Sequence, residues 1–367
     1  MRRSPLFFIA LASAATQAQA GDKPLYAPAP EWVVAAPPID TAKLDANAPA
    51  LVIFDSQTRM EKGTTVTYRD TATRAISAQA LGAMGNLAIP WMPDRGDLTI
   101  HRAEIIRGAE RIDLLAKPDR FTVLRREEMM EQRLLTGVLT ATMPVEGLRV
   151  GDVLRVTFSL SQSDPALGGR VIGAAPTFAD PDRAGFARAR FLWPAGEKIA
   201  WKGYAAGLTP VEKTVGGMRE LSVTLPLPKQ PEMPDDLPQR MQRPLLIEAS
   251  SFADWADVSR TLAPLYATDG LIAPGSALDK EVAAIATAES DPLKRTQRAL
   301  DLVEDKVRYL AMAMNGGGLK PQTPAQTWEL RYGDCKAKTL LLLAMLHKLG
   351  IEAEPLVVSA QNGGLVE

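Results

Sequence analysis

The sequence has little material for binding metals or forming disulfides: one cysteine, Cys335, and two histidines in 367 residues. A single cysteine excludes a disulfide within the chain, and these three dispersed residues offer no ligand cluster for a metal ion. The glycine patterns of phosphate-binding and dinucleotide-binding loops are also missing. We therefore expect no metal and no other cofactor.

The sequence also lacks an excess of charge of either sign, because 42 Lys and Arg stand against 43 Asp and Glu. Such a balance gives no electrostatic reason to expect nucleic acid or an anionic membrane surface. After the first twenty residues no apolar run is long enough to span a bilayer, which takes roughly 20 residues. We expect no nucleic-acid partner and no transmembrane anchor, and the oligomeric state stays open.

The first twenty residues have the pattern of an export signal. Arg2 and Arg3 form a positive start, residues 6–12 an apolar run, and Ala18-Gln19-Ala20 a cleavage site of the A-x-A type. A membrane anchor or a chance apolar start is the alternative, but the apolar run is too short to span a bilayer. We expect cleavage after Ala20 and a periplasmic or secreted protein, and without a cysteine at the cut a lipoprotein is not expected.

Residues 40–225 are expected to form a β-sandwich. Short segments rich in β-branched and aromatic residues alternate with turn signals such as Glu61-Lys62-Gly63, which favours an antiparallel sandwich. The predicted strands lie at residues 51–54, 64–68, 98–101, 134–139, 153–158 and 221–224.

Prolines crowd residues 226–244, where they favour an extended linker. Beyond the linker, residues 245–367 become helical in pattern. Apolar residues at helical spacing predict a helix over 252–262 and another that starts at Asp291-Pro292 and ends at residues 315–318. Residues 356–359 resemble a buried strand, and residues 361–364 a hairpin turn.

Cys335 opens a further predicted helix, in which apolar residues lie on nearly every side from Thr339 to Leu349 and Gly350 marks the end. A thiol at the start of a buried helix sits where unpaired N–H groups and the macrodipole favour the thiolate. Lys336 also favours the thiolate and Asp334 opposes it, so the sequence leaves the balance open. A buried inert thiol is the simpler alternative.

Neither histidine fits as the base for this thiol. His347 lies on the same predicted helix, roughly 18 Å from Cys335 at 1.5 Å per residue. His101 alternates with Thr99 and Ala103 on a predicted strand, and we expect it to be a surface histidine. Nucleophilic catalysis by a thiol needs a base and an orienting group, and the sequence shows no intact Cys–His pair.

The segment Arg331-Tyr332-Gly333-Asp334-Cys335-Lys336, together with residues 340–343 and 349–355, resembles the nucleophile segment of bacterial transglutaminase-like proteins. Residues 307–309 and 324–330 fit the same pattern. Residues 98–113 and 145–158 resemble the β-sandwich domain of unknown function that precedes this core in exported bacterial proteins. The resemblance implies a multidomain chain: an all-β sandwich followed by an α+β, papain-like core that attacks amide or peptide carbonyls through a thioester.

Of the family's catalytic residues only Cys335 carries over, because the histidine and aspartate of the family lie further along than this sequence reaches. The family often has aspartate two residues after the cysteine, where this chain has Ala337. Supporting candidates are Gly333, Asp334, Lys336 and Trp328; the indole would line the acyl site, or else pack in the core. We expect a core that is incomplete at its C-terminus and a chain without turnover, with a protein or peptide as substrate.

A second hypothesis is a non-catalytic periplasmic protein that binds a peptide or glycan, with a degenerate transglutaminase-like core.

Overall fold

The computed structural model describes residues 21–358 except 46, 117–119, 126, 128–129, 181–182, 235, 239–240, 243 and 313–317. The expected export signal and the expected turn at 361–364 therefore lie outside the described residues, as do residues 315–317 and 359.

Strands dominate the first two thirds of the described chain. They are β1 (Leu25–Tyr26), β2 (Leu51–Glu61), β3 (Thr64–Arg74), β4 (Asn86–Trp91), β5 (Leu98–Arg107), β6 (Glu110–Asp113), β7 (Thr122–Arg125), β8 (Leu134–Leu135), β9 (Leu139–Pro144), β10 (Val153–Ser163), β11 (Ile172–Pro176), β12 (Ala184–Pro194), β13 (Ala200–Gly203), β14 (Val211–Val215), β15 (Met218–Leu225) and β16 (Leu246–Ser250). A short helix, α1 (Ala78–Met84), precedes β4. We call residues 21–250 the sheet-rich part.

The last third is mainly helical and is called the helical part here. Its elements are α2 (Trp255–Leu262), α3 (Ala277–Ala288), α4 (Pro292–Lys306), β17 (Arg308–Tyr309), β18 (Ala311–Met312), α5 (Pro324–Leu330), β19 (Tyr332–Gly333) and α6 (Cys335–Lys348). Among the described residues no helix is both long and apolar enough to cross a membrane.

One large sheet organises the sheet-rich part, in the order β1-β5-β10-β3-β2-β12-β15-β14, with β6 paired to β5. Its pairs are antiparallel except β1 with β5 and β2 with β12. Lys62 and Gly63 close the β2–β3 hairpin with positive φ angles of 52° and 73°, as a tight two-residue turn requires. Five of the six expected strands and this turn are confirmed, but the sheet is mixed rather than wholly antiparallel.

Two three-stranded sheets cover one face of the large sheet. The sheet β11-β16-β13 packs on β12 and β15 around Phe191, Leu221 and Ile247, and the sheet β4-β9-β7 packs on β5 and β10 around Ile100 and Met143. Alternate residues of each strand point into these cores, as the period of two requires. The sheet-rich part is therefore built from several stacked sheets, and β16, which follows the proline-rich stretch, belongs to it.

The other face of the large sheet, which we call the polar face, combines buried charged side chains with a small apolar cluster around Ile53 and Ile39, and it lies under the N-terminal arm, which we define as residues 21–40. Three buried ion pairs lie within or beside this face: Arg155 with Asp70, Arg188 with Asp55, and Arg190 with Glu220. The arm supplies backbone partners to the face, because Arg190 donates to Trp32 O and Arg188 donates to Val34 O. The polar groups of the face are thus satisfied partly by the arm, as burial demands.

Three sequence-based element predictions are wrong in detail. The strand expected at 134–139 is two strands, β8 and β9, separated by Gly137 with φ of 68°. The helix expected over 252–262 begins only at Trp255. Leu356, Val357 and Val358 are 85%, 69% and 81% exposed without strand structure, so the expected buried strand is not present in the described part of 356–359.

The helix that starts at Pro292 is confirmed, with Asp291 Oδ1 accepting from the N–H groups of Leu293 and Lys294. It ends at Lys306, well before the expected stop, because the chain turns extended after the buried Val307 and forms β17. This early end places β17 beside the strand that leads into Cys335.

Candidate functional site

Cys335 is the first residue of α6 and is exposed. The rest of the helix is buried along most of its length, with Leu341 and Met345 fully inaccessible in the core of the helical part. Asp334 caps the helix, since its Oδ1 accepts from Ala337 N at 2.9 Å. The predicted helix start is confirmed, and the thiol is carried by a rigid, well-packed element.

The approach to Cys335 is fixed by a short parallel pairing of β17 with β19. Arg308 N donates to Arg331 O at 2.9 Å, and Leu310 N donates to Gly333 O at 3.1 Å. Lys338 reaches from the first turns of α6 to Val307 O, at 2.9 Å. The helix, the strand before it and β17 therefore form one unit around the thiol.

Gly333 is required by space rather than by backbone angle. A Cβ at this position would lie 2.8 Å from the Ala337 Cβ and 3.1 Å from the Thr327 Cγ2, closer than carbon atoms pack. Gln322 Oε1 would lie 3.4 Å from the same point, and this buried oxygen has no hydrogen-bond partner among the described residues. Sequence analysis had assigned Gln322 no role.

Two tyrosines stand near the thiol, and sequence analysis missed both as site residues. Burial raises the pKa of Tyr309, the neighbouring Cys335 and Asp334 raise it further, and Lys336 lowers it. Burial also raises the pKa of Tyr266. Lys336 lowers this pKa, whereas Cys335 and Asp334 raise it. Tyr309 lay in a segment quoted for its family resemblance, but Tyr266 gave no signal in the sequence.

The charged neighbours pair with each other. Lys336 forms an ion pair with Asp334, and both side chains are largely buried. The thiol therefore faces a neutral pair rather than a free cation or a free carboxylate.

Trp328 lies in the hydrophobic core at 5% exposure, with the Arg331 guanidinium 3.6 Å from its ring centroid. The structure thus places this supporting candidate inside the packing of α5, where it positions the segment before Cys335.

Both histidines are engaged away from the thiol. His347 bonds to Thr268 Oγ1 at 2.7 Å and to Ala353 O at 2.9 Å. His101 bonds to Ala27 O at 2.9 Å and to Ser159 Oγ at 2.7 Å. The structure brings neither histidine to Cys335.

His101 lies at the surface only in part, with intermediate exposure. Its ring stacks on Tyr68 and is partly covered by the arm, so burial lowers its pKa despite the bond to Ala27 O. A bulge in β5 between Ile100 and Arg102 also places Ala103 in the core rather than on the face of His101.

Two surface cavities lie away from the thiol. One of about 730 Å³ is lined by the edge-to-face pair Phe54 and Phe178, by Arg183 and by Thr177, whose buried hydroxyl has no partner among the described residues. The other, of about 370 Å³, lies between α3 and α4. The described residues contain no group of acidic, histidine or cysteine side chains that could hold a metal ion.

Residues 61–231 match the family model of DUF3857, a domain of unknown function for which a structure has been solved. This part of the chain is similar to that domain family. The match includes β3 to β15 and so most of the large sheet. No transglutaminase-like family model matches, and no curated protein matches the sequence.

Among solved structures, the chain is similar to one described as a putative protease from Parabacteroides distasonis ATCC 8503, with a TM-score of 0.63 and 14% identity. The likeness covers 82% of this chain and 58% of that protein, so this chain spans little more than half of its length. The two share a fold. An M1 zinc metallopeptidase from Deinococcus radiodurans matches at a TM-score of 0.28 and 13% identity, over 56% of this chain and 42% of that one.

Proposed function

We propose that this chain is part of an exported acyl-transfer protein in which Cys335 attacks the carbonyl carbon of an amide or peptide. The observation that carries the proposal is the exposed thiol on the first residue of a buried, capped helix. Its resemblance to the transglutaminase-like nucleophile segment and the fold shared with the Parabacteroides distasonis protein support the same chemistry. The substrate is a protein or peptide, and the chain acts in the periplasm or outside the cell.

The first step forms the Sγ–C bond and expels the amine, which takes the proton that the thiol gives up as the C–N bond breaks. The resulting thioester then passes its acyl group to water or to another amine. The backbone N–H of Cys335 belongs to the first helical turn, where N–H groups lack intrahelical acceptors. It can therefore donate to the oxyanion that develops on the substrate carbonyl.

General-base catalysis is the missing component. The sequence has two histidines, and both use their ring nitrogens elsewhere. Neither histidine is therefore placed to act as the base for Cys335, and we expect these 367 residues to show no turnover with a glutamine peptide and an amine.

A non-catalytic peptide- or glycan-binding function is the second candidate. The cavity lined by the aromatic pair Phe54 and Phe178 favours it, because ligand sites are typically lined by aromatic and other apolar side chains.

Acylation by an activated ester separates the two candidates without needing the base. We expect p-nitrophenyl acetate to acylate Cys335 at least tenfold faster than it acylates N-acetylcysteine amide at the same pH, with one acetyl group found by mass spectrometry. Cys335→Ser gives the background. A rate equal to that of the small thiol would contradict the acyl-transfer proposal.

A further inference from the structure

The first described residue makes a specific contact with the sheet. Gly21 N lies 3.0 Å from Asp97 Oδ1. Gly21 is also the residue that follows Ala20, where the sequence predicts that the export signal is cut. Two independent observations, a cleavage pattern and a carboxylate contact, therefore meet at the same backbone nitrogen.

Asp97 is held in place by the neighbouring strand. Its N–H donates to Ser161 Oγ at 2.8 Å, and its carbonyl accepts from Ser161 N at 3.0 Å. At Gly96 a Cβ would lie only 2.0 Å from Ser161 O, so the backbone here packs directly against β10. The carboxylate of Asp97 is thus presented from a rigid position at the start of β5.

The arm runs from this contact along β5. Leu25 and Tyr26 pair in parallel with Thr99 and Ile100, and Ala27 N donates to Ile100 O at 3.4 Å. Further on, Val34 N and Val34 O both bond to the Gln57 side chain, at 3.0 and 2.7 Å. Asp97 is therefore the first of a series of anchors that hold the arm over the polar face.

We infer that Asp97 is the binding site for the α-ammonium group that leader removal creates on Gly21. Hydrolysis of the Ala20–Gly21 bond gives the carboxylate of Ala20 and the ammonium of Gly21. The Gly21 nitrogen, which as a neutral amide donates to Asp97, thereby becomes a cation with additional N–H donors. Hydrogen bonds between an ammonium and a carboxylate are stronger than those from a neutral amide. Processing then fixes the start of the arm and with it the cover over Arg188 and Arg190. The inference rests on the proposed export.

The first experiment defines the N-terminus. The chain is expressed from its own leader in a Gram-negative host, and the intact mass of the exported protein is measured. We expect the mass of a chain that begins at Gly21. A mature protein that begins at any other residue would overturn the inference, and a retained leader would overturn the export on which it rests.

The second experiment tests the docking itself. A cytoplasmically expressed fusion, cut by a protease that cleaves before glycine, yields a chain beginning at Gly21 with a free amine. This chain is compared with the same chain carrying one additional alanine before Gly21, and with Asp97→Asn in both. Hydrogen exchange at Tyr26 and Ala27 reports how often the arm opens.

We expect the additional alanine and Asp97→Asn each to accelerate this exchange about two- to fivefold, as loss of a partly exposed ion pair predicts. The additional alanine should then have no further effect in Asp97→Asn.

Asp22→Asn, which removes a neighbouring carboxylate, is the matched control and should leave exchange unchanged. Equal exchange in the two wild-type chains, or a full effect of the alanine in Asp97→Asn, would overturn the docking. The acylation rate of Cys335 is a separate measurement, so failure of one proposal is distinguishable from failure of the other.

Discussion

Arg170 Nη2 donates to Asp257 Oδ1 at 2.9 Å, and this ion pair joins the sheet-rich part to α2 of the helical part. The Asp257 side chain is only 9% exposed, and its second oxygen accepts from Ala253 N at 3.1 Å. Arg170 also donates to Ser251 O at 3.2 Å. The chain that leaves β16 is therefore fixed against the sheet-rich part by one arginine and one carboxylate.

We expect Asp257→Asn to destabilise the protein by about 1–2 kcal/mol, because a largely buried charged hydrogen bond is lost and Arg170 is left with the Ser251 carbonyl and the Phe252 ring. The urea midpoint followed by tryptophan fluorescence measures it. Arg260→Met is the matched control, since Arg260 is 68% exposed and 3.7 Å from the same carboxylate; it should cost less than about 0.5 kcal/mol. Equal effects of the two variants would contradict this account.

Sequence reasoning succeeded where local chemistry decides the structure. The cap at Asp334 and the apolar residues behind it define α6, and Asp291-Pro292 defines the start of α4, because both signals act within one helical turn. It failed where a distant partner decides. Helical spacing continues past Val307, but pairing with Tyr332 and Gly333 turns that segment into a strand.

The candidate site shows the same division. The thiol and its charged neighbours are contiguous in the sequence and were found from it. Tyr266 and Tyr309 come near the thiol only through tertiary packing, and although Tyr309 lies in a segment that resembles the family, no pattern in the sequence marks either tyrosine as a site residue. The arm over the polar face was also not predicted. It is held partly through backbone carbonyls such as Val34 O, and because every residue has a carbonyl, the sequence does not mark these contacts.

Gly333→Ala is expected to destabilise the helical part by about 1–3 kcal/mol, because the added methyl group would overlap Ala337 and Thr327. Thermal unfolding measures the loss, and the alkylation rate of Cys335 should change with it as the helix start shifts. Gly82→Ala is the control. Gly82 lies in α1 with open space around its Cβ position, so alanine there should stabilise by up to about 1 kcal/mol. A neutral Gly333→Ala would show that the site tolerates a side chain.

Two carboxyl groups of the sheet-rich part predict loss of stability in acid. Burial raises the pKa of Asp152, but hydrogen bonds from Arg107 and from Arg149 N outweigh it and the net pKa is lowered. Burial also raises the pKa of Glu220, but Arg190 and Lys213 outweigh this effect, and the net pKa is lowered.

A carboxyl group with a lowered folded pKa contributes stability that is complete above its unfolded value, about 3.9 for Asp and 4.3 for Glu, and is lost as the pH falls through the folded value. We therefore expect urea midpoints to fall steeply below about pH 4 and less steeply in Asp152→Asn. Glu304→Gln, at an exposed position of α4, should leave the slope as in the wild type. An unchanged slope in Asp152→Asn would contradict the assignment.

The ion pair between Lys336 and Asp334 predicts opposite effects on the thiol. Lys336→Met leaves the Asp334 charge beside Cys335 and disfavours the thiolate, whereas Asp334→Asn leaves the cation and favours it. Asparagine caps helices as well as aspartate does, so α6 should keep its start. We expect iodoacetamide to alkylate Cys335 about two- to fivefold more slowly in Lys336→Met and more quickly in Asp334→Asn, as one partly buried charge predicts.

Because the chain has a single cysteine, the label reports this thiol alone. Circular dichroism controls for the fold, and rates that move in the same direction in both variants would show that the pair does not govern the reactivity of Cys335.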